Sequence, residues 1–145
     1  STGQVAVLGK HLCGPSSDLA VDSALHLGQR LSLLCLAPCC HAKLKWESWP
    51  QESKEWLRSV GFPGEAEDFS VLCDIVRLAR AGTERHGAAV PCSKWRLRMQ
   101  LNEEDEILSL GRKACRVFDE GRLERLRRHG LQARLIEYCD SSITP

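Results

Sequence analysis

No stretch of this chain reaches about 18 consecutive apolar residues, so the sequence offers no membrane-spanning helix. An excess of charge of one sign is also missing. Lys and Arg number 20 and Asp and Glu 19, for a net charge of +1. Bulk electrostatics therefore announces neither a nucleic acid nor a membrane surface. Glycine and proline are sparse, at 11 and 6, which excludes a collagen-like or linker-like chain. Neither G-x-x-x-x-G-K-[ST] nor G-x-G-x-x-G occurs, and Lys10, between Gly9 and His11, is not a P-loop lysine. A nucleotide-type cofactor site would have to be completed by residues outside this chain. No secretory signal opens the sequence, because Ser1-Thr2-Gly3-Gln4 leads directly into an apolar run. The first residue is not Met and the last, Pro145, follows Ser-Ser-Ile-Thr; both ends look cut rather than finished.

What is present is one domain's worth of chain: 145 residues, 43% hydrophobic and 27% charged. Eight cysteines stand out. Four disulfides would suit a short secreted chain with a weak core, but here the apolar runs suffice for a core. Cys35, Cys73 and Cys115 lie inside such runs, where a thiol acts as a small hydrophobe. The thiols are read as reduced and the compartment as cytoplasmic or nuclear.

Val5-Ala6-Val7-Leu8, bounded by Gly3 and Gly9, reads as a buried strand. Ser16, Ser17 and Asp18 offer a helix cap and a first-turn acid, Ala20, Val21, Ala24 and Leu25 lie at helical spacing, and Gly28 closes the helix. Leu31 to Ala37 is a second apolar strand, followed by Pro38-Cys39-Cys40-His41. Strand, helix, strand is a right-handed βαβ unit with parallel strands buried on both faces. Helices are expected from Trp49-Pro50 through Val60, stopped by Gly61, and from Phe69 to Ala81, stopped by Gly82. Thr83 to Cys92 reads as a loop. A long helix follows the acidic turn at Glu103 to Glu106 and runs to His129, with Gly130 as its stop. Leu131 to Cys139 alternates and reads as a third strand. The fold class is α/β, and three strands are few for an open parallel sheet, so more chain is expected at one end or both.

In open α/β sheets ligands bind outside the carboxyl ends of the strands. Parallel pairing of the two strands brings Lys10, His11, Cys13, Cys39, Cys40 and His41 around one crevice there. Zinc on Cys39, Cys40 and His41 is one reading, although adjacent cysteines in an extended chain point opposite ways. A reactive thiolate is a second. The third is that the cysteines pack beneath the loop and only Lys10 or His11 faces a ligand. From Arg112 to Arg128 there are seven basic residues, among them Lys113, Arg116 and Arg122, against three acids. Phosphate contacts and a solvated helix face both fit that pattern. Trp46, Trp49 and Trp56 suit base stacking if exposed and a core if not.

Gly-Lys-His-Leu-Cys-Gly at 9–14 with Asp18-Leu19, and Cys39-Cys40-His41 with Trp46, resemble signatures of the eukaryotic tRNA ribose 2′-O-methyltransferases that act on the fourth nucleotide of the acceptor stem. Gly111-Arg112-Lys113, Asp119-Glu120-Gly121-Arg122 and Ile143-Thr144-Pro145 resemble that family's later blocks, in the same order. The resemblance implies that residues 1–145 are the carboxyl-terminal half of a methyltransferase domain. The sheet would be a partial Rossmann-like parallel sheet of a class I methyltransferase, truncated at both ends. It implies S-adenosyl-L-methionine as cofactor, tRNA as partner, and zinc only in a part of the full-length family outside this chain. No cofactor-binding residue and no metal ligand is assigned here, and nothing points to an oligomer or a membrane. Lys10 is the expected general base, because a neighbouring sulfonium and desolvation would favour the neutral amine. His11 competes, since imidazole changes charge near neutral pH. Cys13, Asp18, Cys39, Cys40 and His41 line the substrate side of the crevice, Asp18 also serving the helix start, and Arg112, Lys113, Arg116 and Arg122 are the RNA-facing candidates. The alternatives are a non-catalytic α/β module that binds RNA or protein, and a zinc-binding module.

Overall fold

The structure, a computed structural model, describes residues 3–78 and 104–138. Its first unit is the expected βαβ: β1 (Val5–Cys13), α1 (Pro15–His26) and β2 (Leu31–Cys39), with β1 and β2 paired in parallel. Both strands run past their apolar stretches into the polar turns, because the ladder continues through Lys10↔Ala37, Leu12↔Pro38 and Cys13↔Cys39. The register slips between Lys10 and Leu12, which leaves His11 as an extra residue at φ 60°. A residue inserted in this left-handed conformation is a bulge, and bulges re-aim side chains near strand ends. Pro15 starts α1 with its φ already helical. The cap position is Gly14, at φ 53°, with no side-chain cap. The capping role expected of the serines is therefore corrected, since Ser17 Oγ donates to Leu12 O at 2.6 Å, whereas Asp18 is the first-turn acid as expected, its carboxylate held by Arg122. Gly28, at φ 54°, follows the last helical residues and turns the chain into β2.

Helix α1 covers one face of this pair, where Val7 and Leu34 lie half-buried. The other face, with Ala6, Leu8, Leu33 and Cys35, is exposed, Leu8 at 73%. Burial on both faces is thus not met among the described residues, and Cys35 is not a core residue.

The remaining elements are α2 (Gln51–Ser59), α3 (Ala66–Leu78) and α4 (Glu104–Arg128). The first begins after Pro50 and stops before Gly61 (φ 93°), as the sequence indicates, while α3 begins three residues earlier than Phe69. Together α2, α3 and α4 enclose the core of Leu44, Trp49, Leu57, Phe69, Cys73, Val76, Ala114 and Phe118. Phe118 meets Trp49 and Phe69 edge-on, with ring centroids 5.8 and 5.2 Å apart, the arrangement that aromatic quadrupoles favour. Gly121 sits in mid-helix because a Cβ there would stand 2.9 Å from Trp49 Cζ2. Trp49 is core, and Trp46 and Trp56 pack against it, so the core reading of the tryptophans holds.

The third strand is corrected. Residues 131–138 form no strand, and Ile136 and Tyr138 are exposed. Alternation sets which side chains share a face, but a strand needs a ladder partner, and no described residue supplies one. The segment is instead tied to α4 by Arg127 Nε donating to Ala133 O at 3.2 Å and by the Arg116–Glu137 ion pair. The expected loop at Thr83–Cys92, the stop at Gly82, the acid at Glu103 and the Ile143–Pro145 block lie outside the described residues. No helix among the described residues is long and apolar enough to cross a membrane.

Candidate functional site

The carboxyl ends of β1 and β2 meet. Cys13 pairs with Cys39 in register, and the Gly14 N–H donates to Cys39 O at 3.2 Å. Gly14 is buried, and a Cβ there would lie 2.8 Å from Lys43 Cβ, so the turn requires glycine both for its positive φ and for this close approach. Cys40 adopts φ 53°, ψ 41°, a left-handed conformation uncommon outside glycine. That twist cancels the strand alternation expected of neighbouring cysteines. Cys13 Sγ lies 3.2 Å from Cys39 Sγ and 3.4 Å from Cys40 Sγ, and all three sulfurs are within 4.8 Å of one another. The objection that adjacent cysteines must diverge is therefore overturned at this turn. Burial pushes the Cys39 thiol up to about 12, and the neighbouring Cys13 and Cys40 thiols add to the rise. Cys39 stays protonated at neutral pH and is no nucleophilic thiolate.

His41 does not join the thiols. It is buried, stacks on Phe118 at 6.2 Å, and its Nε2 is 2.8 Å from Asp119 Oδ1. The zinc set Cys39, Cys40 and His41 is corrected accordingly, with Cys13 standing where the histidine was expected. Asp119 Oδ1 also accepts from Arg122 Nη1 at 2.9 Å. Arg122 then grips Asp18 with two hydrogen bonds, Nε to Oδ1 at 2.9 Å and Nη2 to Oδ2 at 3.0 Å, and Nη2 reaches Gly14 O at 3.5 Å. This fork-to-carboxylate geometry is the strong form of an ion pair. Burial works against the charged guanidinium, but Asp18 and then Asp119 outweigh it and push Arg122 above its ordinary value. Arg122 is only 4% exposed. The expected RNA-facing Arg122 and the crevice-lining Asp18 and His41 are thus turned inward, into a polar knot that joins the two strand tips to α4. Asp119 was missed as a site residue. The available signal was Asp119 and Arg122 at i,i+3 on one helix, with Asp18 as a buried-spaced acid early in another.

Lys10 and His11 are exposed at the end of β1, ahead of the thiol turn. On α4, Arg125 pairs with Asp22 and Glu52, Arg127 with Glu120, and Arg128 with Glu124 and Glu55. Most of the basic stripe is therefore neutralised by acids. Arg112 and Lys113 are exposed and in no ion pair among the described residues, whereas Arg116 is paired to Glu137.

The whole chain, residues 1–145, matches the family described as Methyltransferase TRM13. Three relatives are each described as a tRNA:m(4)X modification enzyme TRM13. That of Yarrowia lipolytica is 28% identical over 96% of this chain and 33% of its own length. That of Scheffersomyces stipitis is 25% identical over 97% and 35%, and that of Debaryomyces hansenii is 30% identical over 82% and 26%. The chain thus spans between about a quarter and a third of the length of these relatives. No solved structure matches it. A chain matched from end to end, with motifs that fold onto one pair of strand tips and one helix, belongs to the TRM13 methyltransferase family.

Proposed function

We propose that this chain is the carboxyl-terminal half of a class I methyltransferase domain, and that the whole protein uses S-adenosylmethionine to methylate a ribose 2′-hydroxyl in the acceptor stem of tRNA. Family membership and the relatives' description as tRNA modification enzymes support the reaction class. The observation that carries the site is the parallel β1–β2 pair, which leaves Lys10 and His11 exposed at its carboxyl end beside the thiol turn. The uncovered face around Leu8 and Leu33 suits the helical layer that such a domain packs on the second side of its sheet.

The residues present fit the hydroxyl side of the site better than the cofactor side. Asp18, a carboxylate that a cofactor ribose could use, is already held by Arg122. When bound, S-adenosylmethionine would supply an electrophilic methyl on sulfur, with a neutral thioether as the leaving group. This chain's part is to hold the ribose at the strand tips and to take the 2′-hydroxyl proton, with Lys10 and His11 as the two bases offered. Arg112 and Lys113 are the cations left to meet phosphates.

Transfer of labelled methyl from S-adenosylmethionine to tRNA, followed by mapping of the modified ribose, tests the proposal on the intact protein. Lys10→Met or His11→Ala, whichever removes the base, is expected to lower the rate by about 100- to 10,000-fold with Tm unchanged. Full activity in both variants would contradict it. The 145-residue chain is expected to bind the cofactor weakly in calorimetry, and micromolar binding would show that the pocket is complete within it. Binding of tRNA by the intact protein without methyl transfer would favour a non-catalytic module.

A further inference from the structure

We propose that Cys13, Cys39 and Cys40 form a binding site for one zinc ion that staples the two strand tips together. Three sulfur donors converge from two different strands, and the backbone that aims them is independently fixed. Cys13 and Cys39 are register partners, the Gly14 N–H ties to Cys39 O, and Cys40 is turned by its left-handed φ. Tetrahedral zinc with sulfur at about 2.3 Å holds its sulfurs roughly 3.8 Å apart. The spacings here, 3.2 and 3.4 Å from Cys13 with all three sulfurs inside 4.8 Å, lie within a few tenths of an ångström to one ångström of that value. Thiolate sets select zinc over harder cations such as magnesium or calcium.

His41 does not supply a fourth ligand through Nε2, which Asp119 holds. Three protein ligands leave one coordination position to water, the composition of zinc sites that exchange a ligand. On binding, three S–H bonds break, three Zn–S bonds form, and three protons pass to solvent without any change of oxidation state. The site is independent of the methyl-transfer reading, and its test contains no activity assay.

The intact protein, reduced and stripped of metal, is alkylated with and without added Zn2+, and each cysteine is followed by peptide mass mapping. Protection is expected at Cys13, Cys39 and Cys40, while the extent of modification at Cys35, on the face proposed to be covered in the intact protein, is unchanged by zinc. C13S, C39S and C40S are each expected to carry one zinc fewer than the unsubstituted protein by elemental analysis, while C35S keeps it. Circular dichroism identifies a variant that has lost its helices, and the mapping on unsubstituted protein decides the matter even then. Equal alkylation of the three thiols with and without zinc, or protection of only two of them, would overturn the proposal.

Discussion

Around Trp49, Phe69 and Phe118 the helices α2, α3 and α4 close on one another, whereas β1 and β2 are covered by α1 on one face only. In the helical part the aromatic core is closed: Phe118 is fully buried and Phe69 and Leu57 are 1% exposed. In the sheet, Leu8 and Leu33 stand 73% and 52% exposed. The two regions are joined by the Asp18–Arg122–Asp119–His41 knot. The helical part packs around a buried aromatic core, and the sheet carries an exposed apolar face. The residues offered for chemistry sit at the ends of that less covered sheet, while the charged groups of the knot are consumed in holding the two regions together.

Removing the knot is expected to have the largest effect. Arg122→Ala leaves two carboxylates buried without their cation, and such a break costs about 3–5 kcal/mol. Urea unfolding measures it, and a loss under about 1 kcal/mol would show that the knot is not a joint. Arg122→Lys keeps the charge but not the fork, so it is expected to fall between the two. Phe118→Ala probes the helical side alone, with an expected cost of about 3–5 kcal/mol from lost burial and the cavity left behind.

The strand pair was legible because Val5–Leu8 and Leu31–Ala37 are continuous apolar runs with a helix-length segment between them. Their full extent was not, because Lys10, His11 and Pro38 carry no strand signal and join only through the ladder. The alternation of Leu131–Tyr138 misled because it reports faces and not partners. The thiol cluster was half legible: parallel pairing brought the turns together, but only the left-handed Cys40 shows that both neighbouring sulfurs reach Cys13. The knot was hidden because its contacts span 78 and 104 residues, a separation at which periodicity says nothing. Arg122, counted among exposed cations, was the clearest casualty of that blindness.

A smaller effect separates the two regions by pH. Burial raises Cys39 to about 12 and Cys73 to about 11, against an ordinary value of 9.0. Between those values the folded protein keeps protons that the unfolded chain has released, so stability falls as pH rises from about 9 and is insensitive to these thiols below it. Metal-free C39S and C73S are each expected to show a shallower decline of the urea midpoint between pH 9 and 11 than the unsubstituted protein. An identical decline would remove the thiols as its cause. The smallest effect is expected on the open face: Leu8→Ala changes the stability of this chain by no more than about 0.5 kcal/mol. In the intact protein the same change is expected to cost about 2–5 kcal/mol, on the proposal that a helical layer packs over this face. Equal costs in the two settings would erase the contrast between the regions.

The claim beneath all of this is that the turn after β1 and the turn after β2 open at one place. Mild oxidation of the metal-free protein, followed by mass mapping of cross-linked peptides, tests it most directly, since neighbouring parallel strands lie about 4.8 Å apart and a disulfide spans roughly 4.4–6.8 Å between Cα atoms. The expected product links Cys13 to Cys39 or to Cys40, ahead of any link to Cys35, Cys73 or Cys115. Cys13 linked preferentially to one of those three, or left unlinked while they react, would contradict the account.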